Sequence, residues 1–200
     1  MKKTTVLHVG SGGVHILGTN GFDADSWQEA RLDINPDVKP DIVGDITDMS
    51  PEIQGCTFDA VYSSHNLEHL YAHEVSLALR EFLRVLKPDG YAIIRCPDIQ
   101  QVAEQVAQGK LLDTLYTSSA GPITPLDIMF GHGKSIAAGN YYMEHHTAFT
   151  LDTLKQACLD AGFGMVDGKA HKGAYGLSVL ASVQERPQAM FWSLFNQHVA

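Results

Sequence analysis

The sequence predicts an α/β fold in which a doubly wound, mostly parallel sheet of seven strands ends in an antiparallel hairpin. Three observations lead to this fold class. Short apolar runs, typical of strands buried on both faces, alternate with helical segments through the first half of the chain. Glycines or acidic residues follow several of these runs. Near the C-terminus, two further apolar runs are separated by only a few residues, as in a hairpin.

Five apolar runs are interpreted as the parallel strands of this sheet. Glycines follow the first run and a proline ends the last, as expected at strand ends. Ligands of such sheets bind at the carboxyl ends of the strands, so functional residues are expected directly after each run. The runs cover residues 6–9, 30–34, 41–45, 58–64 and 91–96.

Two amphipathic helices are predicted from apolar residues that recur at a period of about 3.6. The first covers residues 66–86 and is ended by the Lys-Pro-Asp-Gly turn at residues 87–90. The second covers residues 151–161, with Thr150 as its N-cap and Gly162 just past its end.

The whole chain, residues 1–200, is interpreted as one domain. Residues 99–146 begin as a helix and then become rich in glycine, serine and proline, which predicts a lid or acceptor-binding insertion. The hairpin strands are expected at residues 164–171 and 175–183. The apolar tail, residues 187–200, predicts a helix that either covers the edge of the sheet or forms a homodimer contact.

Composition narrows the classes of function. The net charge is −9 and the pI is near 5.5, so neither a nucleic acid nor an anionic membrane is an expected partner. The three cysteines, Cys56, Cys96 and Cys158, are far apart and show no CxxC spacing, which fits a reducing cytoplasm. We expect a cytoplasmic protein without a secretion signal or a membrane span.

The glycine-rich turn at residues 10–13 and the carboxylate of Asp33 form the first functional motif. Glycines after a strand let the backbone approach a ligand closely. Asp33 ends the next strand at the separation typical of a carboxylate that accepts hydrogen bonds from both ribose hydroxyls. The alternative for Asp33 is a solvated residue that caps the turn with Asn35.

The third strand ends in Asp45 and Ile46. The carboxylate can accept a hydrogen bond from the exocyclic amine of an adenine, while the isoleucine packs on the ring. As a single acidic residue, Asp45 is equally compatible with an N-cap. The order of motifs, a glycine turn, then Asp33, then Asp45, favours binding of a nucleoside.

These motifs resemble those of the class I S-adenosylmethionine-dependent methyltransferases, closest to the small type 11-like group. The resemblance extends over about residues 6–183, and its most specific part is the fourth motif, Phe-Asp-Ala-Val-Tyr-Ser-Ser-His-Asn-Leu-Glu-His-Leu, with the turn that follows the next helix. The matching motifs are residues 6–12, 32–36, 43–46, 58–70, 83–90 and 146–150.

The resemblance implies a Rossmann-like fold, S-adenosylmethionine as cofactor, and methyl transfer. The sequence does not identify the acceptor: lipids, sugars and proteins stay open beside the small molecule that we expect. It places the cofactor against the backbone and side chains that follow the strands. The implied cofactor-binding residues are His8, Gly10, Ser11, Gly12, Asp33, Ile34, Asp45, Ile46, Ser64, His65 and His69.

Two departures from the family pattern keep other functions open. His8 stands where the family has an acidic residue, and Val14 stands at the third glycine position. The short stretch from Val14 to Ala30 also predicts a shortened or irregular first helix. A non-catalytic S-adenosylmethionine-binding module is therefore one alternative, and a nicotinamide-dependent oxidoreductase is a second.

Histidines are the candidates for acid–base catalysis, because the imidazole pKa lies near neutrality. His65, His146 and His132 are proposed as catalytic, with surface or capping roles as the alternative for each. Tyr141 and Tyr142 either line the acceptor pocket or pack within the insertion.

A further pattern among the histidines is the spacing of four between His65, His69 and His73, which is compatible with metal binding on one helical face. No carboxylate or cysteine set completes such a site in the sequence, so no metal is expected.

Overall fold

The protein consists of a seven-stranded sheet packed between helices, in a computed structural model that describes residues 3–19 and 21–199. Single 3-10 turns are formed by Pro36–Val38, Leu67–His69 and Tyr141–Met143. The strands are β1 (Thr4–Val9), β2 (Trp27–Asp33), β3 (Ile42–Val43), β4 (Phe58–Ser64), β5 (Leu86–Pro97), β6 (Tyr116–Ser118), β7 (Gly121–Ile123), β8 (Met165–His171) and β9 (Gly176–Ser182). The helices are α1 (Val75–Val85), α2 (Ile99–Ala107), α3 (Pro125–Phe130), α4 (Gly133–Ala137), α5 (Leu151–Ala161) and α6 (Gln188–His198).

The order of the strands confirms the predicted fold class. It is β3-β2-β1-β4-β5-β9-β8, with β1 to β5 parallel and β9 antiparallel to both β5 and β8. The chain moves outward from β1 to β3 and then returns to the other side of β1 as β4. Such a reversal of strand order opens a crevice at the carboxyl ends of the two central strands.

One face of the sheet is covered by α1 and α5. Fully buried side chains of both helices, such as Leu79, Phe82 and Leu154, join one apolar core with residues from the strands. The predicted bounds of α5 agree with the structure, and Thr150 forms the predicted N-cap. This core holds α1 and α5 against the sheet and includes residues of β4, the strand of the fourth motif.

The predicted start of the first helix, at residue 66, is wrong, because α1 begins at Val75. Residues 67–69 form a separate 3-10 turn that buries Leu67. The carbonyl of Glu68 accepts hydrogen bonds from the backbone amides of His146 (2.8 Å) and Thr147 (3.2 Å) instead of from an amide one helical turn on. These tertiary contacts override the local helical pattern.

The other face of the sheet is covered by α6. Between β1 and β2 the described residues, 10–19 and 21–26, form turns and no helix, in agreement with the expected irregular first helix. Phe191 and Phe195 of α6 pack instead on Val6, Tyr62 and neighbouring side chains of the sheet. The tail therefore covers a face of the sheet rather than its edge, and the homodimer contact stays a prediction.

The insertion, residues 99–146, has more regular structure than expected. It contains α2, a two-stranded hairpin of β6 and β7, and the short helices α3 and α4. Val102, Ile123 and Ile128 form its own small buried cluster.

None of the helices in the described part of the chain has the length and apolar character that a membrane span requires.

Candidate functional site

A cleft of about 440 Å³ lies at the carboxyl ends of the central strands. One wall consists of the loops that follow β1, β2, β3 and β4, and the other consists of residues 140–144 and His146 near the end of the insertion. The lining residues are Gly10, Gly12, Asp33, Ile34, Asn35, Val38, Gly44, Asp45, Ile46, His65, Asn66, His69, Leu70, Asn140, Tyr141, Tyr142, Met143, Glu144 and His146.

The glycine turn after β1 forms the floor of the cleft. Gly10 has φ +59°, and a Cβ atom at this position would overlap with Cγ of Asn66. Only glycine allows this conformation and this close approach together. Asn66, which the sequence analysis did not single out, thereby lies directly against the turn.

Asp33 supports the turn from the end of β2. Its Oδ2 accepts a hydrogen bond from the amide of Gly12 (2.7 Å), and its Oδ1 accepts one from the amide of Asn35 (2.9 Å). A carboxylate has about four acceptor positions, so both oxygens can still accept hydrogen bonds from a ligand. The side chain therefore both shapes the loop and offers acceptors at the cleft.

The loop after β3 presents the carboxylate of Asp45 to the cleft. Ile46 of the same loop and Ile34 of the loop after β2 lie beside it. Oδ1 of Asp45 accepts hydrogen bonds from the amide and the hydroxyl of Thr47, each at 2.8 Å. Asp45 therefore caps a turn, and no helix begins here, so the N-cap that the sequence left open is not formed. Ile34 is 52% exposed and Ile46 is buried, so an apolar surface faces the cleft beside the carboxylate.

His65 follows β4 with backbone φ +51°, which is uncommon for a residue other than glycine. Its amide donates to the carbonyl of Arg95 (2.9 Å). The exposed ring lines the cleft, and its Nδ1 lies 3.3 Å from Oε1 of Glu68. The Glu68 carboxylate raises the pKa of His65.

The wall formed by the insertion is rich in aromatic rings. Tyr141 and Tyr142 are more than half exposed and line the cleft. The His146 ring stacks on Tyr71 with their centroids 4.4 Å apart, and its Nε2 lies 3.7 Å from Oε2 of Glu144. The insertion thus brings flat, amphipathic side chains to face the glycine turn.

Four of the predicted site residues are not among those that line the cleft: His8, Ser11, Ser64 and His132. His132 is the residue before α4, and its Nδ1 lies 2.7 Å from the hydroxyl of Ser135. Ser11 is buried, and its amide donates to the carbonyl of Leu32 (3.2 Å). Ser64 is the last residue of β4 and lies next to His65.

The position of His8 accounts for one departure from the family pattern. The ring is buried beside Tyr62, on the face of the sheet that α6 covers, and its Nδ1 lies 2.8 Å from Oε1 of Glu29. Glu29 also pairs with His15 and accepts the amide of Ile16. An acidic group is therefore still present beneath the loop, contributed by β2 instead of β1.

Together, the fold and the cleft define a nucleoside-binding α/β protein. Residues 7–94 of the chain match the family model described as the methyltransferase domain. This match covers the glycine turn and the motifs at Asp33, Asp45 and His65. The resemblance to the class I, type 11-like, S-adenosylmethionine-dependent methyltransferases is confirmed.

Solved structures with this fold include several methyltransferases. A Methanosarcina mazei S-adenosylmethionine-dependent methyltransferase is 15% identical, with a TM-score of 0.59, and the match covers 93% of this chain and 95% of that one. The 1,6-didemethyltoxoflavin-N1-methyltransferase of Burkholderia thailandensis, solved with 1,6-didemethyltoxoflavin and S-adenosylhomocysteine, is 14% identical, with a TM-score of 0.56. That match covers 92% of this chain and 72% of the other.

The CMeT domain of the citrinin polyketide synthase is 13% identical, with a TM-score of 0.60, over 92% of this chain. This chain spans 48% of that structure, and 63% of a Bordetella parapertussis structure described as that of a possible exported protein. A comparison with curated protein sequences gives no match. At these identities, the structural similarity establishes the fold.

Proposed function

We propose that this protein transfers the methyl group of S-adenosylmethionine to a small-molecule acceptor, which binds between the glycine turn and the insertion. S-adenosylmethionine supplies a methyl group already activated on a sulfonium. The protein then has mainly to bind and align the two reactants. The residues of the cleft fit both tasks.

The observation that carries this proposal is the convergence of Asp33 and Asn66 on the glycine turn. Nδ2 of Asn66 is buried and has no hydrogen-bond partner among the described residues, although Asn66 lines the cleft. A buried donor without a partner is costly and points to a ligand that supplies an acceptor. The methionine carboxylate of the cofactor is such an acceptor, while Asp33 accepts from the ribose.

The adenine end of the cofactor fits the third loop. Ile34 and Ile46 offer apolar contacts for the faces of the ring, and Asp45 offers an acceptor for its exocyclic amine. The carboxylate of Asp45 keeps its second oxygen for this purpose, because both bonds from Thr47 go to Oδ1.

The acceptor is assigned to the space between His65 and the aromatic wall of Tyr141, Tyr142 and His146. The two tyrosines are suited to stacking against a planar small molecule. His65 and His146 are the candidates to accept a proton from it, since both line the cleft. His132, which we also predicted as catalytic, lies outside this wall.

The structure of the methyltransferase from Burkholderia thailandensis contains 1,6-didemethyltoxoflavin beside S-adenosylhomocysteine. This supports a small molecule as the acceptor class. The non-catalytic alternative rested on His8 and Val14, and it is weakened because Glu29 supplies the acidic group near His8. A cytoplasmic location fits the composition and stays a proposal.

Calorimetric titration with S-adenosylhomocysteine, S-adenosylmethionine and NAD tests the proposed cofactor. We expect about micromolar binding of the sulfur nucleosides, near −8 kcal/mol, and no binding of NAD. The variant Asp33→Ala should weaken binding by about 10- to 100-fold, because a hydrogen bond to a charged group contributes about 1.5–3 kcal/mol.

Asp37→Ala is the matched control, since Asp37 is an exposed carboxylate on the same loop that does not line the cleft. It should bind the nucleosides like the wild type. Unchanged affinity of Asp33→Ala would remove the ribose assignment. If NAD binds and the sulfur nucleosides do not, the assignment changes from a methyltransferase to a nicotinamide-dependent oxidoreductase.

A further inference from the structure

Behind the wall of the cleft, Glu68, His69 and His145 form a cluster in which one ligand atom from each residue lies within 4.8 Å of the others. Glu68 and His69 belong to the 3-10 turn that follows β4, and His145 lies at the end of the insertion. The rings of His69 and His145 are 4.8 Å apart between centroids. Two parts of the chain that are distant in sequence therefore meet at this cluster.

Glu68 is the unusual member of the cluster. The residue is 1% exposed, and neither carboxylate oxygen has a hydrogen-bond partner in the described part of the chain. Nδ1 of His65 lies 3.3 Å from Oε1 as an ion pair. A buried carboxylate normally has several hydrogen bonds or a bound cation, because the loss of hydration of a buried charge is costly and one partner compensates only part of it.

The two histidines are held in a way that suits ligands of a metal ion. Nδ1 of His69 lies 2.8 Å from the carbonyl oxygen of Glu144, and Nδ1 of His145 lies 2.7 Å from that of Ile128. A carbonyl only accepts, so each Nδ1 carries the proton and donates it. Each Nε2 is left with a free lone pair. Histidine ligands of metals are commonly oriented by this type of backbone contact.

We propose that Glu68, His69 and His145 bind one divalent first-row transition-metal ion, with Zn²⁺ as the probe. Two imidazoles and one carboxylate are a known donor set for zinc and for non-haem iron. Ligand atoms around tetrahedral zinc are roughly 3.4 Å apart, given metal–ligand distances of about 2.0–2.1 Å. The ligand atoms of this cluster, which lie up to 4.8 Å apart, would have to approach to about that separation when the ion binds.

The proposed site differs from the histidine set, His65, His69 and His73, that the sequence analysis considered for a metal. The spacing of His65, His69 and His73 suggested one helical face, but these residues precede α1 and share no helix. The carboxylate that the sequence pattern lacked is Glu68, and the second imidazole comes from the insertion. Three protein ligands leave coordination positions open, and His69 places the ion at the wall of the cleft.

A bound ion would also attach the insertion to the sheet. His145 lies immediately before the residues whose amides bond to the carbonyl of Glu68, so the ion and these two hydrogen bonds would act on the same junction. The proposal does not depend on the identity of the methyl donor. It can therefore be tested without an enzyme assay.

Zinc binding to untagged, chelator-treated full-length protein is the test, measured by calorimetry and by metal analysis after dialysis. We expect one Zn²⁺ per chain in the wild type. Glu68→Gln and His145→Gln should each weaken binding by roughly 100-fold or more, since even the outer-shell partners of ligands contribute about 10–100-fold. His73→Gln, which removes an exposed histidine outside the cluster, should bind like the wild type.

Cobalt substitution keeps the proposal testable if the variants do not fold. Co²⁺ added to the wild type should give the intense visible bands of a four- or five-coordinate ion, and one equivalent of Zn²⁺ should abolish them. No saturable binding in the wild type would overturn the proposal. Equal affinity in folded Glu68→Gln and His145→Gln would also overturn it, because the ion would then lie elsewhere.

Discussion

Single residues at the ends of β1 and β4 carry most of the constraints on the cleft. Gly10 is required both by its positive φ and by the contact with Asn66. His65 holds a positive φ without being glycine, which places its ring at the cleft at a cost in backbone strain. Such strain at a residue exposed to a pocket is typical of functional positions. Substitutions at these two residues therefore distinguish effects on ligand binding and turnover from effects on stability.

Gly10→Ala should abolish nucleoside binding and destabilise the fold. A left-handed conformation costs an alanine roughly 1–2 kcal/mol, and its Cβ would also displace Asn66. Urea unfolding and calorimetry with S-adenosylhomocysteine measure the two effects. Gly13→Ala is the control, because a Cβ added there would have no heavy atom within 4 Å and the φ of Gly13 lies outside the left-handed region. Equal losses in both variants would contradict the role assigned to Gly10.

His65→Asn should lower turnover by at least roughly 100-fold, if the imidazole acts as the proton acceptor. Stability should fall, because removal of the imidazole leaves the buried Glu68 carboxylate without its ion-pair partner, and this loss outweighs the better tolerance of a positive φ by asparagine. Steady-state kinetics and urea unfolding are the two measurements. Undiminished turnover would reject His65 as the base and leave His146 as the candidate.

Among the elements, α6 has an architectural role that the tail sequence did not reveal. The connection from β1 to β2 forms turns instead of a helix, so the apolar side chains on that face of the sheet need another cover. Phe191 and Phe195 supply it from the C-terminus. The end of α6 adds a polar contact, since Nε2 of the buried His198 lies 3.0 Å from the Tyr91 hydroxyl.

Phe191→Ala should destabilise the fold by about 3–5 kcal/mol, the usual cost of deleting a buried phenylalanine ring. The side chain is fully buried against the sheet. Met190→Ala changes the neighbouring residue, which is 55% exposed, and should shift the free energy of unfolding by less than about 0.5 kcal/mol. Similar values for the two variants in urea unfolding would show that α6 does not cover the sheet as described.

For the molecule as a whole, the arrangement of charges beneath the cleft affects stability as a function of pH. Burial lowers the pKa of His8 below its ordinary value of 6.5, although the neighbouring Glu29 acts in the opposite direction. The unfolded chain therefore binds a proton at His8 before the folded protein does. The contribution of neutral His8 to the free energy of unfolding is therefore fully present above about pH 6.5. It is lost as the pH falls from there toward the lower pKa of His8 in the folded protein.

His8→Asn should make this fall in stability shallower between pH 7 and pH 5. One group contributes a slope of at most about 1.4 kcal/mol per pH unit. Unfolding free energies at several pH values provide the measurement. His15→Asn is the control, since this exposed histidine contacts the same carboxylate. A slope in His8→Asn identical to that of the wild type would show that His8 does not contribute.

Local patterns in the sequence were sufficient to predict the sheet and the order of the motifs, whereas the class of protein was predicted from the resemblance of these motifs to a known family. Apolar runs, the glycine turn and Asp33 are local features, and each follows from a few neighbouring residues whose conformation depends little on the rest of the chain. The bounds of α5 were predicted correctly for the same reason, because its cap and its terminating glycine directly flank the segment.

The meeting of distant residues, in contrast, became visible only in the folded molecule. The start of α1, the cover supplied by α6 and the pairing of His8 with Glu29 all depend on contacts between separate elements. The cluster of Glu68 and His69 with His145 likewise joins two segments that the sequence keeps far apart. Local patterns specify secondary structure, whereas the packing of the sheet, α6 and the insertion specifies the surroundings of each polar side chain.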